Sequence, residues 1–239
     1  MNFSKRKKII ILGDSLAMQR TIEGIAYEQT YGYLLKKYFE SYYSNYFVII
    51  MAKRANDTMR QSMSDSILYD IKQFKPDIVI IHLGIVDCAP RIFSKIERGI
   101  ISLLPEYLSY RIINFYSKRR LFFTKYLPKK YVNIKNYEKN MQKILNIIIE
   151  NKAIPIIINI SNPPEKIAYR SYNFLNNVRK YNNILLNLSK NYNCKLINFN
   201  KIVEKNPNYL LSDGIHISKK GNQKLANEII DCVNEIVKN

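Results

Sequence analysis

Three side chains near the two ends of the sequence have the types needed for nucleophilic catalysis. Ser15 follows a short apolar run, while Asp213 and His216 lie three residues apart near the other end of the chain. A serine hydroxyl is a poor nucleophile until an imidazole removes its proton, and a carboxylate must hold that imidazole in the correct tautomer. One loop can present both Asp213 and His216 to a serine on a strand. The three residue types therefore indicate a serine nucleophile activated by a histidine and an aspartate.

Short apolar runs predict the strands that must position these side chains. The runs are rich in β-branched residues and lie at 9–12, 47–51, 77–83, 154–160 and 195–199. Helical periodicity appears at 63–74, 141–149 and 225–236, and Ser218 is placed to cap the last helix. Apolar runs of this kind, separated by helices, are typical of a parallel sheet. The alternation predicts an α/β fold, a three-layer α/β/α sandwich around a mostly parallel five-stranded sheet.

Further polar residues lie at the predicted strand ends, where ligands bind in open α/β sheets. Asp14 follows the first run, Asn56 follows the second and Asp87 follows the third. We interpret Asp14 and Asp87 as supports that hydrogen-bond the loop backbone. Asn56 is by default a helix cap, because asparagine is a preferred residue at that position. His82 lies inside an apolar strand, which favours a buried structural histidine.

Two short motifs carry a resemblance to a known enzyme family. Gly-Asp-Ser-Leu at 13–16 directly follows the first predicted strand, and Asp-Gly-Ile-His at 213–216 shortly precedes a C-terminal helix. Gly221 also fits the way in which that family enters its last helix. In this order and context, the motifs resemble those of the SGNH/GDSL hydrolases over nearly the whole chain. The resemblance implies a single flavodoxin-like domain over 1–239 that hydrolyses or transfers acyl esters.

The resemblance also implies a role for each of the three residues considered first. Ser15 is expected to be the nucleophile, His216 the general base and Asp213 its orienting acid, with no metal and no organic cofactor. Together with the positive charge of the chain, the resemblance favours an acetyl ester of a carbohydrate or of a surface polysaccharide precursor as the substrate. A carbohydrate O-acyltransferase that uses the same triad is the alternative.

The oxyanion hole is where this sequence departs from the family pattern. The family usually supplies a glycine N–H from its second block, where Asn56 stands here, and its third block, Gly-x-Asn-Asp, reads Gly-Ile-Val-Asp at 84–87. Val86 cannot donate, and the loss of one oxyanion donor typically lowers the rate by about 10²–10³-fold. The resemblance thus implies an oxyanion hole at Ser15, Asn56 and Gly84. We hypothesise that the Asn56 side chain restores the missing amide; a catalytically weakened binding protein is the competing interpretation.

A basic segment at 89–131 interrupts the alternation of strands and helices. It contains ten Lys or Arg residues against two acids, together with nine aromatic residues, in a chain whose net charge is +19. A structureless loop of this length is uncommon in a compact domain, so we predict a helical insertion or lid. Three interpretations stay open: a solvated surface, a lid that binds an anionic glycan, nucleotide-linked sugar or acyl donor, and a surface that docks on an anionic membrane. Arg54 and Arg91 are candidate substrate-binding residues.

Several other classes of function are disfavoured. The three cysteines are widely spaced without a C-x-x-C pair, which predicts neither a zinc site nor a disulfide framework. Nucleotide-binding glycine motifs and nucleic-acid recognition motifs are missing, so nucleic acid is an improbable partner. The apolar run at 9–12 is shorter than the ~7–15 residues of a secretory signal. We therefore expect a cytoplasmic protein, with the inner face of the membrane as an alternative location.

Overall fold

A five-stranded parallel sheet forms the centre of the protein. The computed structural model describes residues 7–43 and 45–238, and its strands lie in the order β2–β1–β3–β4–β5. The strands are β1 (Lys7–Gly13), β2 (Tyr46–Ala52), β3 (Ile78–His82), β4 (Ile154–Ile158) and β5 (Lys195–Ile197). Each adjacent pair is parallel. The predicted strands are confirmed, with ends that differ by up to two residues.

Helices connect the strands and cover both faces of the sheet. In the described part of the chain they are α1 (Tyr31–Tyr42), α2 (Thr58–Ser62), α3 (Ser64–Phe74), α4 (Ile85–Cys88), α5 (Lys95–Ser102), α6 (Glu106–Lys118), α7 (Arg120–Tyr126), α8 (Ile134–Glu150), α9 (Glu165–Ala168), α10 (Phe174–Asn191), α11 (Phe199–Lys205) and α12 (Lys219–Lys238). The three helical periods predicted from the sequence correspond to α3, α8 and α12. The Gly221 N–H donates to Ser218 Oγ at 3.2 Å, as expected for a cap of α12.

Two groups of helices form the outer layers. α1 packs against β2 and α12, while α8 packs against α3, α10 and β4. β1 is buried between them, and its residues Ile9, Ile10, Ile11 and Leu12 are each no more than 1% exposed. Because such strands are covered on both faces, they appear in the sequence as continuous apolar runs rather than as alternating ones. This arrangement confirms the three-layer α/β/α fold.

The basic segment 89–131 contains α5, α6 and α7 and lies between α4 and α8. No residue of α5 or α6 is buried, and Thr124 is the buried residue of α7. Among the helices that the structure describes, none combines the length and the apolar character needed to cross a membrane. Residues 1–6, which belong to the basic N-terminus considered in the sequence analysis, lie outside the described residues.

Candidate active site

The turn that follows β1 places Ser15 at the carboxyl end of the sheet. Asp14 caps a short 3₁₀ turn over Ser15–Ala17 by accepting a hydrogen bond from the Leu16 N–H at 2.8 Å. A Cβ atom on Gly13 would lie 2.8 Å from the Ala17 Cβ, so this tight turn requires glycine at its first position. β1 lies between β2 and β3, and the turn therefore presents the half-buried Ser15 near the middle of the sheet.

The loop before α12 holds Asp213 and His216 in a fixed relative geometry. Asp213 Oδ1 accepts the backbone N–H groups of Ile215 and His216, both at 2.9 Å. Its Oδ2 lies 2.5 Å from His216 Nδ1. Between them, Gly214 has a φ of +69°, a left-handed conformation that glycine adopts without steric penalty. The loop thus fixes the imidazole ring against the carboxylate.

These contacts keep the Asp213 carboxylate ionised. Partial burial raises its pKa, but the hydrogen bonds from the His216 ring, the His216 N–H and the Ile215 N–H outweigh this effect and hold the pKa well below its usual range. An ionised carboxylate can only accept, so the hydrogen-bond pattern assigns the proton to His216 Nδ1 and leaves Nε2 as an acceptor. That tautomer is the one in which Nε2 can take a proton from a nucleophile.

Ser15 and His216 meet at this end of the sheet although 201 residues separate them in the sequence. Ser15 Oγ lies 3.1 Å from His216 Nε2, which is within hydrogen-bonding distance. The structure therefore brings Ser15, His216 and Asp213 into one continuous chain of hydrogen bonds. The side chain of His216 is 16% exposed and that of Asp213 is 41% exposed, so the group opens toward solvent.

A second donor, which the sequence analysis missed, also contacts the imidazole. Arg20 Nη1 lies 3.1 Å from His216 Nε2, and the same guanidinium pairs with the Glu23 carboxylate. A guanidinium can only donate, so Arg20 and the Ser15 hydroxyl share the lone pair that must receive the serine proton. Arg20 directly precedes a short 3₁₀ turn, Thr21–Glu23, between Ser15 and α1, where no motif or periodicity marks it.

Asn56 ties the loop after β2 to the end of β1. Its Nδ2 donates to the Gly13 carbonyl at 3.2 Å and to Gln61 Oε1 at 2.8 Å, and its backbone N–H donates to the Lys53 carbonyl at 3.2 Å. Its Oδ1 is buried without a hydrogen-bond partner among the described residues. Every N–H group of Asn56 thus has an acceptor in this conformation, and an oxyanion role requires one of these bonds to open.

The turn after β3 contains Gly84 and leads into α4. Gly84 has a φ of +132°, and a Cβ atom there would lie 2.6 Å from Ile160 Cδ1 and 2.8 Å from the Tyr137 hydroxyl, so the position is restricted to glycine. Val86 is buried in α4, where its apolar side chain offers no donor. The Val86 carbonyl accepts a hydrogen bond from Arg91 Nη2 at 2.9 Å. This bond joins the turn to the basic segment.

Asp14 and Asp87 are buried acids whose contacts are those of loop supports. Asp87 Oδ1 accepts from the backbone N–H of Thr58 at 3.0 Å and from its hydroxyl at 2.5 Å, which joins α4 to α2. Burial raises the pKa of Asp14 to about 7 and that of Asp87 to about 6, against hydrogen bonds that only partly offset it. Both side chains therefore hold a proton under mildly acidic conditions.

The raised pKa of Asp14 predicts a pH-dependent effect of the isosteric substitution Asp14→Asn. Between about pH 4 and pH 7 the folded protein keeps the Asp14 proton that the unfolded chain releases, so stability falls as pH rises through this window. Asparagine carries no charge and can still accept from the Leu16 N–H. We expect the variant to gain on the order of 1–4 kcal/mol relative to wild type between pH 4 and pH 8. Urea unfolding of both proteins at the two pH values measures this difference. If the free energies of unfolding of the two proteins changed equally between these pH values, the prediction would be contradicted.

The remaining sequence candidates, Arg54, Arg91 and His82, differ in burial and surroundings. Arg54 is exposed in the turn after β2, whereas Arg91 is half-buried and lines a cavity within the basic segment. His82 is buried with its Nδ1 3.1 Å from the Tyr31 hydroxyl, and burial lowers its pKa to about 3. His82 is therefore a neutral structural residue, as its place in an apolar strand indicated.

Comparison with protein families gives one match that spans most of the chain. Residues 11–224 match the GDSL-like Lipase/Acylhydrolase family. The matched range contains Ser15, Asp213 and His216. A search of curated proteins finds no match.

Solved structures with the same fold include several esterases. An acetyl xylan esterase has a TM-score of 0.66 at 18% identity, covering 95% of this chain and 99% of that chain. A lipase/acylhydrolase from Enterococcus faecalis has a TM-score of 0.66 at 15% identity, covering 95% of each chain. A catalytic mutant of an acetylxylan esterase from Geobacillus stearothermophilus has a TM-score of 0.64 at 15% identity, covering 97% and 95%. At such low identity these likenesses establish the fold, and the match over residues 11–224 establishes that the chain belongs to the GDSL-like lipase/acylhydrolase family of serine esterases.

Proposed function

We propose that the protein hydrolyses acyl esters with Ser15 as nucleophile, His216 as general base and Asp213 as orienting acid. The observation that carries this proposal is the path of hydrogen bonds from Ser15 Oγ to His216 Nε2 at 3.1 Å and from His216 Nδ1 to Asp213 Oδ2 at 2.5 Å. Membership of a family of lipases and acylhydrolases supports the same reaction class.

The reaction proposed for this geometry has two halves. Ser15 Oγ attacks the ester carbonyl while its proton passes to His216 Nε2, and the ionised Asp213 stabilises the imidazolium that forms. His216 then gives that proton to the departing alkoxide, which leaves an acyl group on Ser15. Water gives a proton to His216 and attacks the acyl-enzyme carbonyl. The bond from the acyl carbon to Ser15 Oγ then breaks, Oγ takes the proton back from His216, and the acid is released.

The oxyanion formed in each half needs donors that the protein must supply. Ser15 begins a 3₁₀ turn, and the first N–H groups of such a turn have no acceptor within it. We propose the Ser15 N–H as the first donor, with Asn56 and the Gly84 turn providing the others. Val86 cannot contribute a side-chain donor, so the Asn56 amide is proposed to turn from Gln61 Oε1 toward the oxyanion.

Replacement of Asn56 by alanine tests that compensation. We expect kcat to fall by about 10²-fold with little change in KM, because an oxyanion donor acts mainly in the transition state. Gln61→Ala serves as the control, since it removes the partner of the Asn56 amide without removing the amide itself. Unchanged turnover in a folded Asn56→Ala protein would show that Asn56 is only a loop support.

Arg20→Ala is expected to raise, rather than lower, the turnover of a small neutral ester. The guanidinium donates to the same Nε2 lone pair that must receive the Ser15 proton, so it competes with the nucleophile. Loss of one competing hydrogen bond with a net strength of about 0.5–1.4 kcal/mol corresponds to a gain in kcat of about 2–10-fold. Steady-state kinetics on p-nitrophenyl acetate measure the change, with Arg60→Ala as a control. A fall in kcat would mean instead that Arg20 helps to bind substrate or position His216.

A fluorophosphonate probe separates the proposed enzyme from a weakened binding protein. Such a probe reacts covalently with an activated serine, so the wild-type protein should be labelled and Ser15→Ala should not. A well-folded wild type that resists labelling would favour the binding protein. Mass analysis of products in the presence of a sugar acceptor distinguishes release of free acid from transfer to a hydroxyl.

For the substrate, we propose a short acyl group, acetyl, on a carbohydrate. The support is indirect: two of the proteins with the same fold are described as acetylxylan esterases, and the site is partly open to solvent. We expect p-nitrophenyl acetate to be turned over faster than the octanoate ester, and acetate to be released from an acetylated oligosaccharide. A preference for the octanoate ester would argue against this substrate class.

We further propose that the protein acts in the cytoplasm at the inner face of a membrane, which the basic segment contacts. Thirteen of the twenty-five exposed large hydrophobic side chains that the structure describes lie in this segment, beside its ten cations. Exposed cations and aromatic rings on one helical surface are typical of interfacial binding to anionic lipids. We expect Phe122→Ser to reduce sedimentation with phosphatidylglycerol-containing vesicles and Tyr69→Ser not to do so. Equal binding to neutral vesicles would contradict this proposal.

A further inference from the structure

A cavity of about 430 Å³ lies within the basic segment, away from the Ser15–His216–Asp213 group. None of those three residues lines it. Its wall carries three arginines and three serines, Arg91, Arg98, Arg120, Ser102, Ser109 and Ser117, and the rest of the wall consists of isoleucine and aromatic side chains. No acidic residue lines it. The cavity thus combines three positive charges with hydroxyl groups and apolar surface.

The three arginines have only neutral partners among the described residues. Arg91 donates to the Val86 carbonyl, and Arg120 donates to Ser171 Oγ at 2.5 Å and to the Pro90 carbonyl at 2.7 Å. Arg98 donates to the Tyr131 hydroxyl at 3.3 Å. In the described part of the chain, no carboxylate lies within ion-pairing distance of any of them. The Arg91 Nε–H is buried with no acceptor in the same part of the chain.

This arrangement is electrostatically unfavourable without a further partner. Burial lowers the pKa of Arg91 and of Arg120, and neighbouring arginines lower both further, while Tyr131, Cys88 and Asp87 partly raise that of Arg91. Arg91 also stacks on the Tyr131 ring, with the guanidinium carbon 4.5 Å from the ring centroid, which holds its planar group in place. Grouped and partly desolvated guanidinium groups with free donors attract an anion of matching shape and charge.

We propose that this cavity binds the phosphoryl group of a small organic phosphate. A phosphate monoester carries nearly two negative charges and three strong acceptor oxygens, so it balances three guanidinium groups better than a single carboxylate does. The serine hydroxyls and the apolar wall then contact the organic body of the ligand, which is a sugar or a lipid. The proposal does not depend on the catalytic role of Ser15, because no residue of that group lines the cavity.

The hydrogen bond from Arg91 to the Val86 carbonyl connects the cavity to the candidate active site. Val86 belongs to α4, which begins directly after the Gly84 turn that is proposed to face the oxyanion. A phosphate bound to Arg91 is therefore linked to that turn through the Arg91–Val86 hydrogen bond.

Isothermal titration calorimetry of the full chain tests the proposal with defined probes. Glucose 1-phosphate and dihexanoyl phosphatidic acid are titrated separately, with methyl glucoside as the neutral control and glucuronate as the carboxylate control. We expect saturable binding of at least one phosphate probe, and the tighter of the two identifies a sugar or a lipid body. Binding of neither phosphate probe, or tighter binding of glucuronate than of both, would overturn the proposal.

Matched charge variants show whether the cavity itself binds the probe. Arg98→Gln is expected to weaken binding by at least about tenfold, since it removes one charge-assisted contact. Arg98→Lys should restore part of it. Arg111→Gln, which removes the same charge from the same segment outside the cavity, should leave binding unchanged. Ser15→Ala should also bind normally. Equal losses of affinity in Arg98→Gln and Arg111→Gln would show that the overall positive charge, and not the cavity, attracts the probe. That result would overturn the proposal.

Discussion

Replacing Ser15 with alanine is expected to lower kcat/KM for an acyl ester by at least about 10³-fold. The serine hydroxyl, 3.1 Å from His216 Nε2, is the protein group that bonds to the substrate carbon in the proposed mechanism. Without it, the oxyanion donors and the binding site provide only residual catalysis over water. Steady-state hydrolysis of p-nitrophenyl acetate measures the loss.

The Ser15 result is interpretable because the substitution leaves the surrounding turn intact. The cap of that turn is the Asp14 carboxylate, not the Ser15 hydroxyl, so the variant should unfold at the same urea concentration as wild type. Ser41→Ala, an exposed serine on α1, provides a matched control that should keep full activity. Loss of less than tenfold in a folded Ser15→Ala protein would remove the basis of the proposed mechanism.

Asp213→Asn is expected to lower kcat by about 10³–10⁴-fold with little effect on KM. Asp213 accepts from His216 Nδ1 and so keeps Nε2 unprotonated and facing Ser15. An asparagine can present its amide N–H to Nδ1 instead, which favours the opposite tautomer and blocks proton transfer from the serine. The activity of both proteins between pH 5 and pH 9 measures this effect.

The depressed pKa of Asp213 also excludes this carboxylate as the group that limits the wild-type profile. Because it stays ionised far below neutrality, its protonation does not set the acid limb of the wild-type profile. Asp231→Asn, on the exposed surface of α12, serves as the control and should retain both rate and profile. If Asp213→Asn kept more than a tenth of the wild-type kcat, the orienting role proposed for Asp213 would be wrong.

The sequence was sufficient to predict the sheet because its strands are buried on both faces. A strand such as β3 contains Ile78–His82 with every side chain buried, so its apolar run is continuous and easily recognised. The Ser15 and His216 motifs were recognisable for a different reason, since their residue types are chemically specific and both follow tight glycine-containing turns.

Two long helices were not predicted from the sequence, although each buries a regularly spaced row of side chains. α1 buries Tyr31, Leu35 and Phe39 at intervals of four, but its aromatic residues are equally typical of strands. α10 contains several asparagines, which are poor helix formers, so local propensity does not favour a helix there. Packing against the sheet and its neighbours overrides propensity in both cases.

Arg20 and the arginine-lined cavity could not be predicted because they depend on tertiary geometry. The contact of Arg20 with His216 spans 196 residues and arises among short 3₁₀ turns that no sequence pattern marks. The cavity needs α5, α6 and α7 to fold against one another, and the sequence shows only that the segment is basic and aromatic. Charge was visible in the sequence, but its concentration around one cavity was not.

The wide separation of Ser15 and His216 along the chain determines when hydrolytic activity can first appear during synthesis. The serine emerges from the ribosome early, whereas its histidine is translated just before the last helix, α12. That helix docks on α1, where Asn222 Oδ1 accepts from the Tyr31 N–H at 2.9 Å. Nascent chains and fragments that end before His216 therefore lack the imidazole that Ser15 contacts, so the proposed catalytic group can form only after His216 and α12 have been translated.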